Sequence, residues 1–333
     1  MARGTMGKRA AALLLALCLA LCLMGGCGAP AGEAAEGFRI VCTVFPPWDW
    51  LRALTAGVPD VELTLLTDTG VEMHSYQPTV EDVAAIAGCD LFVYVGGSSD
   101  EWAAELAAEF SGQSTFFSLT EALGDRLLEE ETVEGMEAEA GHAGHGAEAE
   151  ELDEHVWLSL KNAAMLTEAL GDTLAGLLPA YAGTIYDNCG DYCRALEELD
   201  GAYAAAVAAG RYDTLVFGDR FPFRYLTEDY HLNYYAAFPG CSADTDASFE
   251  TVVFLAERVD ALGLPAVLAV EGGDGAVARA VARCVQGPAP EVLTLDAMQS
   301  VSWEKIDAGY TYLSAMAGNL EILKCALGAE GEM

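Results

Sequence analysis

Histidine is scarce in this chain, which has five histidines among 333 residues. His142, His145 and His155 lie in or beside one acidic segment, and His74 lies in "VEMHSYQP". Neutral imidazole is the commonest metal ligand in proteins, provided that its ring is held in one orientation. The stretch "HVWLSL" begins with His155, so a packed Trp-Leu pair is expected to hold this ring. We therefore expect His155 to bind a metal at the edge of a cleft.

Carboxylates that follow predicted strands are candidates to complete such a site. Asp219 lies in "VFGDRFPF" and Asp296 in "VLTLDAMQS", both in the second half of the chain. Two imidazoles and converging carboxylates fit a tetrahedral or five-coordinate divalent metal. Glu271, in "VLAVEGG", ends another strand and is expected to accept a hydrogen bond behind the ligands. Two alternatives stay open: His74 as a surface histidine near a helix start, and Asp219 as the partner of a nearby arginine.

Residues 129–154 break the pattern of the chain. They combine dense acidic residues with Gly and Ala and contain almost no large apolar side chain. Such a composition cannot bury a core, so we expect a mobile loop. His142 and His145 within it are interpreted as a low-affinity arm that collects zinc near the cleft; a solvated linker with incidental histidines is the alternative. His231 falls within a predicted helix and is assigned to the core or the surface.

Strands alternate with helices on both sides of residues 179–210, which are predicted to form one long helix. The strands are "FRIVC", "VELTLL", "LFVYV" and "STFFSL" in residues 38–178, then "DTLVFGD", "NYYAAFPG", "AVLAVEGG" and "EVLTLDAM" in residues 211–333. Alternation of this kind predicts parallel sheets. The fold class is therefore α/β, with two lobes joined by a long rigid backbone helix. Ligands of such folds bind near the carboxyl ends of strands, so we place the metal site in the interlobe cleft.

The first 37 residues carry export signals. Three basic residues precede an apolar stretch from Ala10 to Met24, and "LMGGC" ends at Cys27. These are the features of a signal peptide, and "LMGGC" resembles the lipobox of bacterial lipoproteins. Residues 1–26 are thus predicted to be a signal peptide, Cys27 the lipidated residue and residues 27–37 a tether. An uncleaved membrane anchor is the alternative, and either places the protein on the outer face of the membrane.

The charge of the chain restricts its partners. Sixteen Lys and Arg against 52 Asp and Glu give a formal net charge of -36. This charge repels nucleic-acid phosphates and attracts cations, so we expect no nucleic-acid partner. The cysteines beyond Cys27 include no C-x-x-C pair and are assigned structural roles; their odd number leaves at least one unpaired. They are Cys42, Cys89, Cys189, Cys193, Cys241, Cys284 and Cys325.

Several stretches together resemble the solute-binding proteins of zinc and manganese ABC importers. The likeness covers about Phe38 to Leu327 and rests on a His-x-Tyr-x-Pro and a His-x-Trp-Leu pattern around the acidic loop. The stretches are "VEMHSYQPTVEDVAAIAGCDLFVYVGG", "DEHVWLSLKNA", "LTLDAMQS" and "YLSAMAGNLEILKCAL". The resemblance implies a metal between two α/β lobes, with His74, His155 and Asp296 as ligands. It also implies an ABC permease and its ATPase as partners.

The chain departs from this family at one ligand position. The family has a His or a Glu at the start of an "HxAFxYF"-like segment, and here the segment reads "GDRFPFRYL". Alignment on Phe221 puts Gly218 at the ligand position, so the adjacent Asp219 is expected to substitute. A site with only His74, His155, Asp296 and water is the rival. The histidine-bearing tract favours Zn²⁺ over Mn²⁺, which prefers oxygen ligands.

The resulting hypothesis is a lipid-anchored, extracytoplasmic protein that captures Zn²⁺, with Mn²⁺ as second choice, and delivers it to an ABC importer. It acts by reversible coordination and not by catalysis. Binding needs neutral imidazoles, so affinity is expected to fall as pH drops through about 6.5. A zinc-dependent hydrolase with Glu271 as base is one alternative, although the chain has no H-E-x-x-H motif. A cell-surface adhesin on the same fold is the other.

Overall fold

The computed structural model describes residues 37–67, 70, 73–110, 112, 114–137, 152–241 and 247–329. Cys27, His142 and His145 lie outside these described residues, as do the predicted signal peptide and most of the acidic segment. Within the described ranges, every helix is too short or too polar to cross a membrane.

The first lobe is built on four parallel strands in the order β2-β1-β3-β4. Its strands are β1 (Phe38–Cys42), β2 (Val61–Leu65), β3 (Leu91–Tyr94) and β4 (Thr115–Ser118), and its helices are α1 (Phe45–Leu54), α2 (Val80–Ala87), α3 (Glu101–Glu109) and α4 (Leu119–Leu123). Every residue of the central strand β3 is buried. Strands of a sheet that is covered on both faces read as continuous apolar runs, which explains "LFVY".

The capping of α2 ends the loop that carries His74. Thr79 and Asp82 form a capping box, in which the Asp82 amide donates to Thr79 Oγ1 and the Thr79 amide donates to Asp82 Oδ2. Tyr76 also donates to Asp82 Oδ2, at 2.7 Å. The 3-10 turn Met73–Ser75 is therefore held against the start of a defined helix, which restrains the His74 backbone.

The second lobe repeats this plan, with four parallel strands in the order β6-β5-β7-β8. A register shift interrupts the pairing of β5 with β6 between Phe217 and Arg220. The strands are β5 (Thr214–Phe221), β6 (Asn233–Pro239), β7 (Ala266–Val270) and β8 (Glu291–Leu295). The helices, after the two that connect the lobes, are α7 (Arg224–Tyr230), α8 (Phe249–Leu262), α9 (Ala276–Cys284), α10 (Trp303–Asp307) and α11 (Tyr312–Leu327).

Two helices connect the sheets. Helix α5 (Leu160–Leu177) leads through a 3-10 turn at Pro179–Tyr181 into α6 (Ala182–Ala209), which has 28 residues. Helix α6 packs against α5 and α1 of the first lobe and against α11 of the second. At about 1.5 Å per residue it is about 42 Å long, so the predicted backbone helix is confirmed.

Part of the predicted mobile loop is instead packed on the second lobe. We call residues 127–137 the strap. The Glu137 amide donates to the Ala237 carbonyl of edge strand β6 at 2.9 Å, and the Tyr234 hydroxyl donates to Glu131 at 3.1 Å. Acidic residues that cannot fill a core can still accept hydrogen bonds at a strand edge. The prediction of a mobile loop from composition did not take these hydrogen bonds into account. At the base of the acidic segment, the Asp153 amide donates to the Leu128 carbonyl at 2.9 Å.

Candidate metal centre

The structure brings together the two histidines that the motifs single out. His74 lies in the loop after β2, and His155 immediately precedes the 3-10 turn Val156–Leu158 that leads into α5. Their Nε2 atoms are 3.2 Å apart. Two nitrogen ligands about 2.0–2.1 Å from a tetrahedral Zn²⁺ lie about 3.3–3.4 Å from each other. The separation of the two nitrogens thus fits one shared ion.

The His155 ring is fixed from two sides. Its Nδ1 lies 3.0 Å from Asp153 Oδ1, which also accepts the His155 amide at 2.8 Å. The Trp157 ring packs against the imidazole at a centroid distance of 5.6 Å and an angle of 64°. His155 is completely buried. A carboxylate on one ring nitrogen leaves the other as the metal-binding nitrogen, which here is Nε2.

His74 is held in a similar way but is slightly exposed. Its Nδ1 lies 2.6 Å from Ser99 Oγ. Burial, followed by the nearby His155 and the Arg220 guanidinium, lowers the pKa of His74 from 6.5 to about 3. Burial and a neighbouring cation thus disfavour the imidazolium of His74 and favour the neutral ring, which is the form that binds a metal. The expected fall of metal affinity as pH drops through about 6.5 stays a prediction.

Glu154 places a buried negative charge behind His74. Its Oε1 accepts hydrogen bonds from the Ser98 hydroxyl and the Ser99 amide, and its Oε2 lies 3.9 Å from His74 Nδ1. A Cβ at Gly97, whose φ is +113°, would lie 2.5 Å from Glu154 Oε1, so only glycine fits there. The carboxylate orients Ser99 and stabilises a cation bound by the imidazoles.

Gln299 is a residue of the site that the sequence patterns did not reveal. Its amide nitrogen lies 2.7 Å from His155 Nε2 and 3.1 Å from His74 Nε2. Rotation of the terminal amide by 180° would place the oxygen, a possible metal ligand, at the same position. One sequence feature could have pointed to Gln299: it lies three residues after Asp296, in the same loop beyond β8.

Asp296 positions this loop and does not lie with the histidines. Its Oδ1 accepts the Met298 amide at 2.9 Å, and its Oδ2 accepts the Tyr310 hydroxyl at 2.6 Å. Met298 is buried at a φ of +57°, an unusual conformation for a non-glycine residue. The Asp296 bond supports this conformation, which directs Gln299 at the imidazoles.

Glu271 likewise lies with Asp296 and not with the histidine pair. Its Oε1 accepts from Lys305 Nζ at 2.7 Å. Burial and the neighbouring Asp296 charge raise the pKa of the Glu271 carboxyl. We predicted that Glu271 accepts a hydrogen bond behind the metal ligands. In the structure it accepts one from Lys305 and contacts Asp296 instead of the histidines.

Both carboxylate oxygens of Asp219 accept hydrogen bonds from backbone amides. Its Oδ1 accepts the Arg220 amide at 2.9 Å and its Oδ2 accepts the Val270 amide at 3.0 Å, joining β5 to β7. In the described part of the chain, the group of His, Cys, Asp and Glu ligand atoms within 4.8 Å of one another comprises neither Asp219 nor Asp296. The structure does not bring these two carboxylates to the imidazoles.

Cys241 is the third member of that group, together with His74 and His155. It follows β6 through Gly240, where an added Cβ would lie 3.3 Å from His155 Cε1 and 2.9 Å from the Phe221 carbonyl oxygen. The Cys241 amide donates to Glu130 of the strap at 2.9 Å. Our assignment of the cysteines to structural roles overlooked Cys241, although its position after a strand matches that of the predicted carboxylates.

Comparison with known proteins decides the family. Residues 40–326 match the family model described as "Zinc-uptake complex component A periplasmic" (ZnuA). The chain belongs to this family. It is similar to the zinc-binding lipoprotein AdcA of Streptococcus pneumoniae, with 30% identity over 302 residues, 90% of this chain and 58% of AdcA. The chain thus spans less than two thirds of the length of that relative.

One ZnuA protein and the isolated ZnuA-like domain of AdcA match over almost their whole length. The high-affinity zinc uptake system protein ZnuA of Bacillus subtilis is 25% identical over 319 residues, which are 94% of this chain and 96% of that protein. The crystal structure of the Zn(II)-bound ZnuA-like domain of S. pneumoniae AdcA has a TM-score of 0.68 and 26% identity, covering 87% of this chain and 99% of that domain. The predicted two-lobe α/β fold and the suspected family are confirmed.

The sequence permits a second alignment at the third ligand position of the ZnuA family. A Cβ at Gly218 would lie 2.3 Å from Ala278 Cα, so a side chain there has no space. Alignment on Phe223 and Tyr225 matches two of the three aromatic positions of "HxAFxYF" and puts Arg220 at the first position. In this alignment a cation stands at the ligand position, and the Arg220 charge contributes to lowering the His74 pKa.

Proposed function

We propose that this ZnuA-family protein captures Zn²⁺ in the interlobe cleft and delivers it to an ABC permease driven by its ATPase. The observation that carries the proposal is the pair of His74 and the fully buried His155, whose Nε2 atoms lie 3.2 Å apart. Family membership and relatives named as zinc-binding proteins support it. Zinc is the substrate, which is bound and released unchanged.

The donor set supports zinc over manganese. The Asp153 and Glu154 carboxylates lie on the Nδ1 sides of the two rings, and the further candidate donors near the imidazoles are the Cys241 thiol and the Gln299 amide. The carboxylates of Asp219 and Asp296 accept hydrogen bonds from other groups. Imidazole and thiolate suit Zn²⁺, while Mn²⁺ is better matched by carboxylate, carbonyl and water oxygens. Mn²⁺ therefore remains the second choice.

The alternatives receive less support. A hydrolase would need Glu271 as a base close to the metal, but this carboxylate accepts from Lys305 at 2.7 Å and contacts Asp296. The description of the family concerns zinc uptake and favours transport over adhesion. We therefore propose a binding protein and not an enzyme or an adhesin.

The proposal includes the location and the organisation of the chain. We propose a signal peptide at residues 1–26, lipidation at Cys27 and a tether to residue 37, which anchor the protein to the outer face of the membrane. The lobes span residues 38–178 and 211–333, with the linking helix at 179–210 and a zinc-collecting loop that includes His142 and His145. Cys27→Ala tests the anchor, since the variant should leave the membrane fraction.

The test of function is calorimetric titration of the metal-stripped chain with Zn²⁺ and Mn²⁺. Zinc should bind at micromolar Kd or better, and His155→Ala should weaken it at least about 100-fold, because a buried ligand is lost. His231→Asn is the matched control, since His231 is exposed at the C-cap of α7 with a φ of 55° that asparagine tolerates. A parent chain that binds neither metal at micromolar concentrations contradicts the proposal.

A further inference from the structure

We infer that the Cys241 thiolate is a metal ligand of this site and takes the place of the third protein ligand of the family. The inference rests on the proposed function and specifies the metal class as thiophilic divalent ions. Cys241 Sγ and the ring nitrogens of His74 and His155 lie within 4.8 Å of one another. Zinc bonds of about 2.3 Å to sulfur and about 2.0–2.1 Å to nitrogen span such a group after small side-chain adjustments.

The backbone around Cys241 is restrained on both sides. Gly240 packs against the His155 ring, where its lack of a side chain permits close approach. The Cys241 amide donates to Glu130 of the strap at 2.9 Å. These contacts hold Cys241, the second residue beyond β6, next to the imidazoles, so the fold itself positions the thiol.

The charge balance of the site also calls for an anionic donor. A divalent ion held by His74 and His155 would lie near the Arg220 guanidinium. Gln299 is neutral, and the carboxylates of Asp219 and Asp296 accept hydrogen bonds from other groups. The carboxylates of Asp153 and Glu154 lie on the Nδ1 sides of the rings, so they compensate a buried charge only from behind the ligands. Cys241 is the residue of the described metal-binding group that can become an anion.

Thiolate ligation has a consequence for selectivity that an oxygen donor would not have. Sulfur strengthens binding of Zn²⁺ and of other thiophilic ions relative to Mn²⁺. It also makes the site open to alkylation and oxidation when it holds no metal, because the thiolate is the reactive form of cysteine. Bound zinc should protect Cys241 from both reactions.

Cobalt(II) is the probe that tests ligation directly. Co²⁺ bound to the metal-stripped chain should show a sulfur-to-cobalt charge-transfer band in the near ultraviolet, and Cys241→Ser should lose this band. The same variant should bind zinc about 10–100-fold more weakly. Cys284→Ser is the matched control, because Cys284 is also partly buried but lies at the end of α9. It should keep both the band and the affinity.

Alkylation of the unmodified chain gives a measurement that needs no variant. Iodoacetamide labelling of Cys241, followed by mass spectrometry, should slow in the presence of zinc, while labelling of Cys284 should not change. Cobalt bound without the charge-transfer band, or a band that persists in Cys241→Ser, would overturn the thiolate ligand and leave zinc capture intact. A parent chain that binds no metal would instead remove the proposed function and this inference together.

Discussion

Gln299 shows how a single side chain can be placed by residues that never touch the metal. Asp296 holds the turn through the Met298 amide, and the Gln299 amide then lies between His74 and His155. Asparagine and glutamine carbonyls are oxygen donors of moderate strength, weaker than a carboxylate. In this structure Asp296 supports the site through the backbone of its loop, and the direct ligand role that the family resemblance implies stays a prediction.

We expect Gln299→Ala to weaken zinc binding about 10-fold, because it removes a donor and the support between the two imidazoles. Competition calorimetry against a chelator measures this change. Gln286→Ala is the control, since Gln286 is exposed and hydrogen-bonds the Cys284 carbonyl. Equal zinc affinities for Gln299→Ala and the parent chain would show that the amide makes no contribution.

Asp100 carries the clearest pH dependence outside the metal ligands. Burial, together with the Glu154 charge, raises the pKa of Asp100 from 3.8 to about 6. Between about pH 4 and 6 the folded state keeps a proton that the unfolded chain has released. Stability should therefore fall as pH rises through this window, by roughly 3 kcal/mol in total.

Asp100→Asn removes this titration, so its free energy of unfolding should lack the decline between about pH 4 and 6 that the parent chain shows. Urea unfolding of the metal-free parent and variant at several pH values gives the slope of the free energy of unfolding against pH for each protein. Hydrogen bonds lost in the variant lower its stability by the same amount at every pH, so they do not change this slope. Parallel pH profiles for the parent and the variant would rule out a raised Asp100 pKa.

The strap is the element that connects the acidic segment to the metal centre. It pairs with the edge of β6, accepts the Cys241 amide through Glu130, and accepts the Ser248 amide through Glu137 at 2.6 Å. Gly135 adopts a φ of +90°, and its Cα faces the Phe254 ring. An edge strand that would otherwise be exposed is thereby covered.

Gly135→Ala should displace the strap, because the new Cβ would lie 2.1 Å from Phe254 Cδ1. Overpacking costs about 1–3 kcal/mol, so exchange of the Glu137 amide hydrogen should accelerate about 10–100-fold. Gly57→Ala is a matched control, since Gly57 has a φ of +80° and nothing within 4 Å of an added Cβ. Gly57→Ala introduces the strain of a positive φ without a steric clash. Similar exchange rates of the Glu137 amide hydrogen in the two variants would therefore contradict a clash between the added methyl group and Phe254 as the cause.

Sequence patterns predict elements well here and predict the site only in part. The β strands, the capping of α2 and the long α6 follow from local periodicity and caps, and His74 and His155 stand in short motifs. Cys241 and Gln299 carry only a weak local signal, their place shortly after a strand, because their role arises when two loops of the second lobe meet the histidines. Glu131 and Glu137 belong to the segment that was predicted to be a mobile loop, but they are packed on the second lobe. Composition does not reveal which acidic side chains accept hydrogen bonds from another element.

At the scale of the whole molecule, the lobes are joined by buried contacts as well as by α6. Asp49 of α1 accepts the Tyr312 amide at the start of α11 at 2.9 Å, and Tyr312 donates its hydroxyl to the Trp157 carbonyl at 2.6 Å. Trp48 and Trp303 meet edge to face at 5.3 Å. A metal that takes ligands from both lobes adds one more connection across this interface.

Zinc should therefore stabilise the entire folded chain. At a free concentration of about 100 times Kd, a ligand that binds only the folded state adds about 2.7 kcal/mol to the free energy of unfolding. We expect thermal unfolding to shift upward with zinc and much less with equal Mn²⁺. His155→Ala should lose the zinc shift, and a variant that keeps it would place the bound zinc elsewhere in the protein.

Trp157 contacts the proposed ligand His155 with its ring and donates Nε1–H to the Ala297 carbonyl of the opposite lobe at 2.9 Å. The chain has five tryptophans, and indole N–H protons resonate in a sparsely populated region of the NMR spectrum. The Trp157 resonance, assigned by substitution with phenylalanine, thus reports ligand occupancy and lobe separation at once. The protein carries an intrinsic spectroscopic reporter of its own loading, and it can be observed without any attached label.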